Sequence, residues 1–218
     1  METIEIAKVN ITDEIRNIIK TEHYIGTVPL LNTVYVLFQN DDNNVKNIIG
    51  IAMFGNGPVC HNNGKLLFDY DIKIMELTRL WIDKNNHKSN IASKFLSMVF
   101  NDIKYRNNGQ PVAILSYADN MQNHYGIVYQ ASNFDYIGEM LSADIFIDKY
   151  SNKQVNGRTV SKLVKQGKKS RNEFIRVKNT YVKYKYIYII ATSKQKANIN
   201  KHHRLYDILP YPKPNNNN

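Results

Sequence analysis

Apolar residues recur at helical spacing between Thr12 and His23, where Ile15, Ile18 and Ile19 share a face. Thr12 is placed to cap that helix, and Asp13 and Glu14 favour the positive end of its dipole. Pro29 closes the loop that follows. Asn32–Gln39 and Asn47–Gly55 are β-branched and aromatic runs separated by the turn-forming Asn40–Asn44, a pattern that predicts an antiparallel hairpin. Gly55, Gly57, Pro58 and Gly64 mark a loop. Ile74–Ile82 predicts a further strand, with Leu77, Arg79 and Trp81 on one face. A helix is expected from Ser89 or Asn90 to about Lys104, striped by Ile91, Phe95, Met98, Val99 and Ile103. Pro111–Tyr117 reads as a buried strand, Gln122–Ala131 as a short helix and Phe134–Met140 as another strand.

This order of elements predicts an α/β fold, a mixed central sheet flanked by helices. Beyond it, Asn156–Gly167 and Lys168–Lys178 are rich in turn formers and positive charge. Lys183–Ala191 alternates as a strand, with Tyr184, Tyr186 and Tyr188 on one face and Lys183, Lys185, Ile187 and Ile189 on the other. Two readings of the tyrosine stripe stand side by side: half-exposed sheet tyrosines, or a stacking platform for bases. Pro210, Pro212 and Pro214 keep the C-terminal segment out of any central strand. Residues 1–148 are therefore expected to form the core domain. Residues 149–214 are expected to form a basic extension that completes the sheet, and residues 215–218 a disordered tail.

Charge sharpens that division. Residues 149–218 hold 17 of the 29 Lys and Arg and only two acids, Glu173 and Asp207, for a net +15. Residues 1–148 hold 12 basic and 17 acidic residues, for a net −5. A basic segment almost free of acids is the sequence footprint of a surface that meets a phosphate backbone. Lys162, Lys165, Lys168, Lys169 and Arg171 are the candidate contacts. The mean hydropathy of −0.46 and the lack of any apolar run near 18 residues argue against a transmembrane helix. The N-terminal residues lack a secretory h-region, and the single Cys60 excludes an internal disulfide and any Cys-rich zinc site. A cytoplasmic protein is expected; its oligomeric state is left open, a homodimer included.

Candidate chemistry gathers after two of the strands. The strand–loop–helix–strand unit at 74–117 resembles the central unit of the GCN5-related N-acetyltransferase (GNAT) superfamily. There the loop and helix N-terminus cradle the coenzyme A pyrophosphate. The corresponding loop here, Lys84–Asn90, contains no glycine, but its backbone amides can still face an anion, helped by Lys84 or Lys88. Ser116-Tyr117-Ala118-Asp119 leaves a buried strand, and His124, Gly126, Tyr129 and Gln130 follow closely, at the strand end where open α/β sheets place ligands. Asp119 and His124 can meet if the loop turns back, offering an oriented imidazole for proton transfer or a metal.

These segments together resemble the Mom-type phage DNA modification proteins. The likeness rests on Glu76–Asp83, Asn90–Phe95, Ser116–Asp119 with His124 and Gly126, Tyr129–Phe134, Tyr136–Gly138, Lys185–Tyr188 and Pro210–Lys213, in that order. The family is GNAT-like and converts the N6-amino group of adenine in DNA to a methylcarbamoyl (acetamido-type) derivative, which shields phage DNA from restriction. The resemblance implies functional roles for His23, Tyr24, Arg79, Ser93, Asp119 and Tyr129, with Ser116 and His124 in the matching motif. It implies acetyl-CoA or a related acyl donor, held by Arg79, Ser93, Lys84, Lys88 and Asn90. Simple acyl transfer would leave N-acetyladenine, so a further step is required. The family's association with iron gives His23, Asp119 and His124 a second reading, as the ligand types of a two-His-one-carboxylate site. Arg79 on a strand calls for a partner, with Glu76, Asp119 or a ligand anion as the options. Two other classes remain open: a GNAT N-acetyltransferase for a protein or small-molecule amine, and a non-catalytic DNA-binding module.

Overall fold

A computed structural model describes residues 3–30, 33–40, 45–56, 67–86, 90–179 and 181–213. Helix α1 (Asp13–Glu22) starts as expected: the Thr12 side chain accepts from the Ile15 N–H at 3.2 Å, and Ile15 and Ile19 are buried. The hairpin is β2 (Thr33–Asn40) with β3 (Lys46–Gly55), although the turn between them lies outside the described residues, as do Cys60, His61, His87, Lys88 and the 215–218 tail. Strand β1 (Ile4–Val9), not anticipated from the sequence, pairs antiparallel along β2. Next come β4 (Lys73–Ile82), α2 (Ile91–Arg106), β5 (Val112–Asp119) and the short α3 (Ile127–Ala131). The segment expected as one helix from Gln122 is a 3-10 turn at Asn120–Gln122, followed by α3 alone. Asn123 (φ 54°) and Gly126 (φ 74°) both take left-handed conformations that break the helix between them.

Strands β6 (Asp135–Leu141) and β10 (Val182–Ile190) complete a seven-stranded sheet in the order β1-β2-β3-β4-β5-β10-β6. All neighbours are antiparallel except β4 and β5. One face packs on α2, where Phe95, Leu96 and Val99 meet Tyr35, Phe54, Leu77 and Ile114. The other face is covered in two parts. Helix α1 covers Val34, Val36, Ile51 and Met53; Ile199 of a C-terminal helix, with Leu67, Phe68 and Ile72, covers Ile74, Ala113, Leu115 and Ile187.

The turn-rich basic segment has more structure than its composition suggested. Strands β7 (Ile145–Asp148), β8 (Gln154–Asn156) and β9 (Phe174–Val177) form a small sheet in the order β8-β7-β9. Helix α4 (Gly157–Lys165), capped by Asn156, packs Val160 and Leu163 onto Phe146 and Phe174 of that sheet. A further unpredicted helix, α5 (Ser193–His202), is fixed by a capping box between Thr192 and Gln195.

The tyrosine stripe on β10 is a packing stripe of the sheet rather than a platform for bases, and only Tyr188 in it is partly exposed. Tyr184 and Tyr186 are buried and Tyr188 half-buried, because β10 is an interior strand whose stripe faces the α2 layer. Tyr186 supports the segment that precedes α3: its hydroxyl donates to the Tyr125 carbonyl at 2.5 Å and accepts from Gln130 Nε2 at 3.2 Å.

Candidate active site

Among the described residues, the one parallel pair in the sheet comes apart. β4 and β5 stay in register from Lys73↔Val112 to Leu77↔Ser116, and beyond that point each strand continues without the other. The cause is visible on the β3 side, where Met53 pairs with Arg79 but Phe54 pairs with Leu77, so Thr78 is the extra residue of a β-bulge. Thr78 Oγ1 donates to the Met53 carbonyl at 2.9 Å, and Ser116 Oγ donates to the Leu77 carbonyl at 3.2 Å, just where the strands part. The bulge also corrects an expectation: Leu77 faces α2, whereas Trp81 packs with the α1 cluster, so Leu77, Arg79 and Trp81 do not share a face.

A 680 Å³ cavity occupies the fork. His23 and Tyr24, Arg79 and Lys84, Asn90 and Ser93, and His124 and Tyr129 all line it. Residues up to 106 positions apart in sequence, His23 and Tyr129, are thus brought together from α1, β4, the start of α2 and the segment after β5. Ser116 and Asp119 sit behind the wall that Tyr117 and Ala118 provide.

His23 ends α1 and does not complement its dipole as a cation. Burial, with Arg79 and His124 nearby, pulls its imidazole down to about 4, so the ring is neutral at physiological pH. Its Nδ1 accepts from the Ile25 N–H at 3.2 Å, which assigns the remaining proton to Nε2. Tyr24 stacks on both imidazoles, with ring centroids 4.6 Å from His23 and 4.9 Å from His124. Burial, then Tyr129 and Asp119, push the Tyr24 phenol up to about 12, so it remains a hydrogen-bond donor.

Of the partners anticipated for Arg79, Asp119 makes no bond to it and Glu76 is near enough to act on its charge without a hydrogen bond. Its guanidinium donates to the Thr27 carbonyl (3.1 Å), the Thr27 hydroxyl (3.2 Å) and the Thr78 carbonyl (2.6 Å), with no acid bonded to it among the described residues. It therefore pins the loop carrying His23 and Tyr24 onto β4, and its charge is left facing the cavity. Thr27 is a positioning residue that no sequence signal marked.

Asp119 closes β5. Its carboxylate accepts from the Met121 N–H at 3.1 Å and lies 3.9 Å from Lys183 Nζ, while its carbonyl accepts from the His124 N–H at 3.2 Å. The loop has turned back as expected, but the connection to His124 is through backbone. Tyr129 shares a hydrogen bond with Ser116, and burial pushes its phenol up. Gly126 is required where it stands: a Cβ there would lie 2.4 Å from the Tyr186 ring, at a φ of 74°.

The iron reading is not supported. Among the described residues no three His, Cys, Asp or Glu side chains converge. His23 and His124 meet only through the Tyr24 ring, and Asp119 is engaged by Met121 and Lys183. The opening of α2 does suit an anion. Asn90 caps it in a left-handed conformation without a side-chain hydrogen bond, and the Ser93 hydroxyl turns back to the Asn90 carbonyl at 3.1 Å, so first-turn N–H groups stay available. Lys84 lies 4.0 Å from Glu22; Lys88 falls outside the described residues.

The basic residues divide. Lys162, Lys165 and Lys168 are exposed on and after α4, whereas Lys169 is ion-paired with Asp148 and Arg171 lies over the Phe146 ring at 5.6 Å. The Lys169 bridge and the Ser151 and Tyr150 N–H groups pull the Asp148 carboxyl down to about 2. Arg158, at the start of α4, reaches the main sheet. Together with Lys183 and Arg79 it is close enough to oppose the burial that raises Glu76.

The profile of the Mom protein family matches residues 3–213. Over 210 residues the chain is 23% identical to methylcarbamoylase Mom of Escherichia phage Mu, covering 91% of this chain and 79% of that protein. In fold it is similar to Arabidopsis thaliana NAA60 crystallised in complex with acetyl-CoA, with a TM-score of 0.51 at 12% identity over 85% of this chain and 99% of that one. The IAA acetyltransferase from Bacillus cereus is also similar, with a TM-score of 0.46 at 14% identity over 85% and 98% of the two chains. The mixed sheet is thus the GNAT-like one expected. No helix among the described residues is long and apolar enough to cross a membrane.

Proposed function

We propose, since the chain belongs to the Mom protein family, that it is a transferase converting the N6-amino group of adenine in DNA to a methylcarbamoyl derivative, and that the product protects phage DNA from restriction. The observation that carries this reading is the convergence of His23, Tyr24, Arg79, His124 and Tyr129 on one cavity, with Ser116 and Asp119 against it. The donor is of the acyl-CoA class, as acetyl-CoA is for NAA60. The residues present fit such a carrier: the uncapped start of α2, Ser93, Lys84 and the Arg79 charge would hold its anionic part. When bound, the donor would supply an activated acyl carbon with the coenzyme A thiolate as leaving group; that transfer alone gives N-acetyladenine, so the methylcarbamoyl product requires a further step beyond it.

The chain's own groups do the rest. The exocyclic amine of adenine is a weak nucleophile and must lose a proton as it attacks. We assign the acceptance of that proton to Asp119, which Met121 and Lys183 hold behind the cavity wall. Tyr24, Tyr129 and His23 Nε2 are neutral donors at physiological pH, suited to hydrogen-bond a developing negative charge at the fork. The His23–Tyr24–His124 stack offers aromatic faces against which an extruded base can be oriented. Such positioning contributes through effective concentration as much as through proton transfer.

The test is to express the protein, digest cellular DNA to nucleosides and measure deoxyadenosine by mass spectrometry. A heavier deoxyadenosine that disappears with Asp119→Asn is the expected result. Unmodified DNA from soluble protein that turns over an acyl-CoA would instead point to an N-acetyltransferase for another amine.

A further inference from the structure

Opposite α2, the face of β4, β5 and β10 changes character along its length. Where Ile199 and Leu67–Ile72 cover it, Ile74, Ala113, Leu115, Ile187 and Ile189 form an apolar cluster. Towards the C-terminal end of β5 the same face becomes ionic. Tyr117 pairs across with Lys185 and Asp119 with Lys183, two residue pairs further on, while Glu76 lies on the neighbouring strand. Lys183 is matched to Asp119. Lys185 is different: it is half-buried, and among the described residues no hydrogen bond or ion pair engages it. Burial lowers its ammonium, and no acid counters that effect. A half-buried lysine without a counter-charge is costly unless something supplies one.

Two further features point the same way. The β10–β6 register shifts between Tyr184 and Tyr186, so Lys185 stands opposite a bulge of β6 at Ile137 and Gly138, which locally interrupts the pairing beside it. Arg158, exposed at the start of α4, is also without an acid bonded to it among the described residues. Its proximity to Glu76 brings the basic small layer to this same patch.

We propose that Lys185, flanked by Lys183 and Arg158, is the contact for a DNA phosphate beside the target adenine, fixing the strand while the base enters the fork. This rests on the DNA-modifying reading above and assigns that reaction a strand-positioning residue. The missing counter-charge of Lys185 is then the phosphodiester itself. Lys162, Lys165 and Lys168 contact more distant phosphates along the same strand or its complement.

The test uses the full-length protein and an oligonucleotide whose modified adenine has been located by mass spectrometry. Each flanking phosphate is replaced in turn by a neutral methylphosphonate. In the wild type, one replacement should lower kcat/KM about ten-fold, the size expected for one charge-assisted hydrogen bond. Lys185→Met, which keeps the aliphatic stem packed, should lose about as much on natural DNA and become insensitive to that same replacement. Its salt dependence should fall by about one phosphate contact. Lys185→Arg should restore both. The proposal is overturned if the wild type ignores every flanking methylphosphonate. It is equally overturned if Lys185→Met stays active on natural DNA, or weakens yet keeps the full methylphosphonate response. Should Lys185→Met fail to fold by thermal melting, the wild-type scan decides alone. Failure of the wild type to modify any DNA would defeat the underlying reading, a result distinguishable from all of these.

Discussion

The two faces of the sheet at the fork carry different chemistry. On the α2 face the polar groups are uncharged hydroxyls: Ser116, Tyr129 and Tyr186, hydrogen-bonded to one another's neighbours and to backbone carbonyls. On the opposite face they are ions: Glu76, Asp119, Lys183 and Lys185, with Arg158 nearby. Burial explains the division. The α2 face lies over the main core, where an unpaired charge would be expensive, whereas the other face loses its apolar cover beyond Leu115 and Ile187. Neutral proton donors and a charged strand-holding surface are therefore separated by the thickness of one sheet, joined through the gap between β4 and β5.

The sharpest way to break that separation is to remove charge from the ionic face. Asp119→Asn keeps the shape and the Met121 contact but loses the base, so product formation should fall by about 10²–10⁴-fold in single-turnover assays while DNA affinity is unchanged. An equal loss of binding would show that Asp119 holds the strand instead. On the neutral face, Gly126→Ala forces a Cβ into the Tyr186 ring at a left-handed backbone position. It should lower stability by about 2–3 kcal/mol in urea titration, and an unchanged midpoint would mean that the loop before α3 is free to shift.

His23 gives a pH signature. Its folded pKa of about 4 lies below its unfolded value, so the unfolded chain binds more protons between the two. Its contribution is complete above about pH 6.5 and is lost as pH falls towards 4, by roughly 3 kcal/mol at most. His23→Gln should flatten that part of the stability curve without changing it near pH 8. The smallest effect belongs to the exposed cluster. Neutralising Lys162, Lys165 and Lys168 together should leave the melting temperature unchanged and reduce the salt dependence of DNA binding by about three phosphate contacts if all three reach the backbone. Lys169 is excluded from that set because its bridge to Asp148 is structural.

What the sequence revealed follows the range of the forces involved. Helices α1 and α2 and strands β2 to β5 were legible because their apolar periodicity is local and long enough to read. Strand β1 was not: its residues are only half-buried, and it gains its identity by pairing with β2. Helix α4 is obscured by Gly157 and its basic residues, and α5 buries only Ile199, so neither shows a wide apolar stripe. At the site, the residue types were readable but their geometry was not. Thr78 looks like any strand threonine, and only its pairing with β3 shows that it shifts the register. The bonding of Arg79 to Thr27 spans 52 positions and leaves no local trace.

That bulge fixes the crevice in advance. Leu80 and Ile82 pack towards the α2 core while Trp81 packs with α1, so β4 cannot regularise without turning all three side chains over. The inter-strand amide bonds beyond Leu77 and Ser116 are consequently forgone by the fold itself. An incoming carrier has no ladder to prise apart, and the energy of its docking stays available for holding the reactants in line.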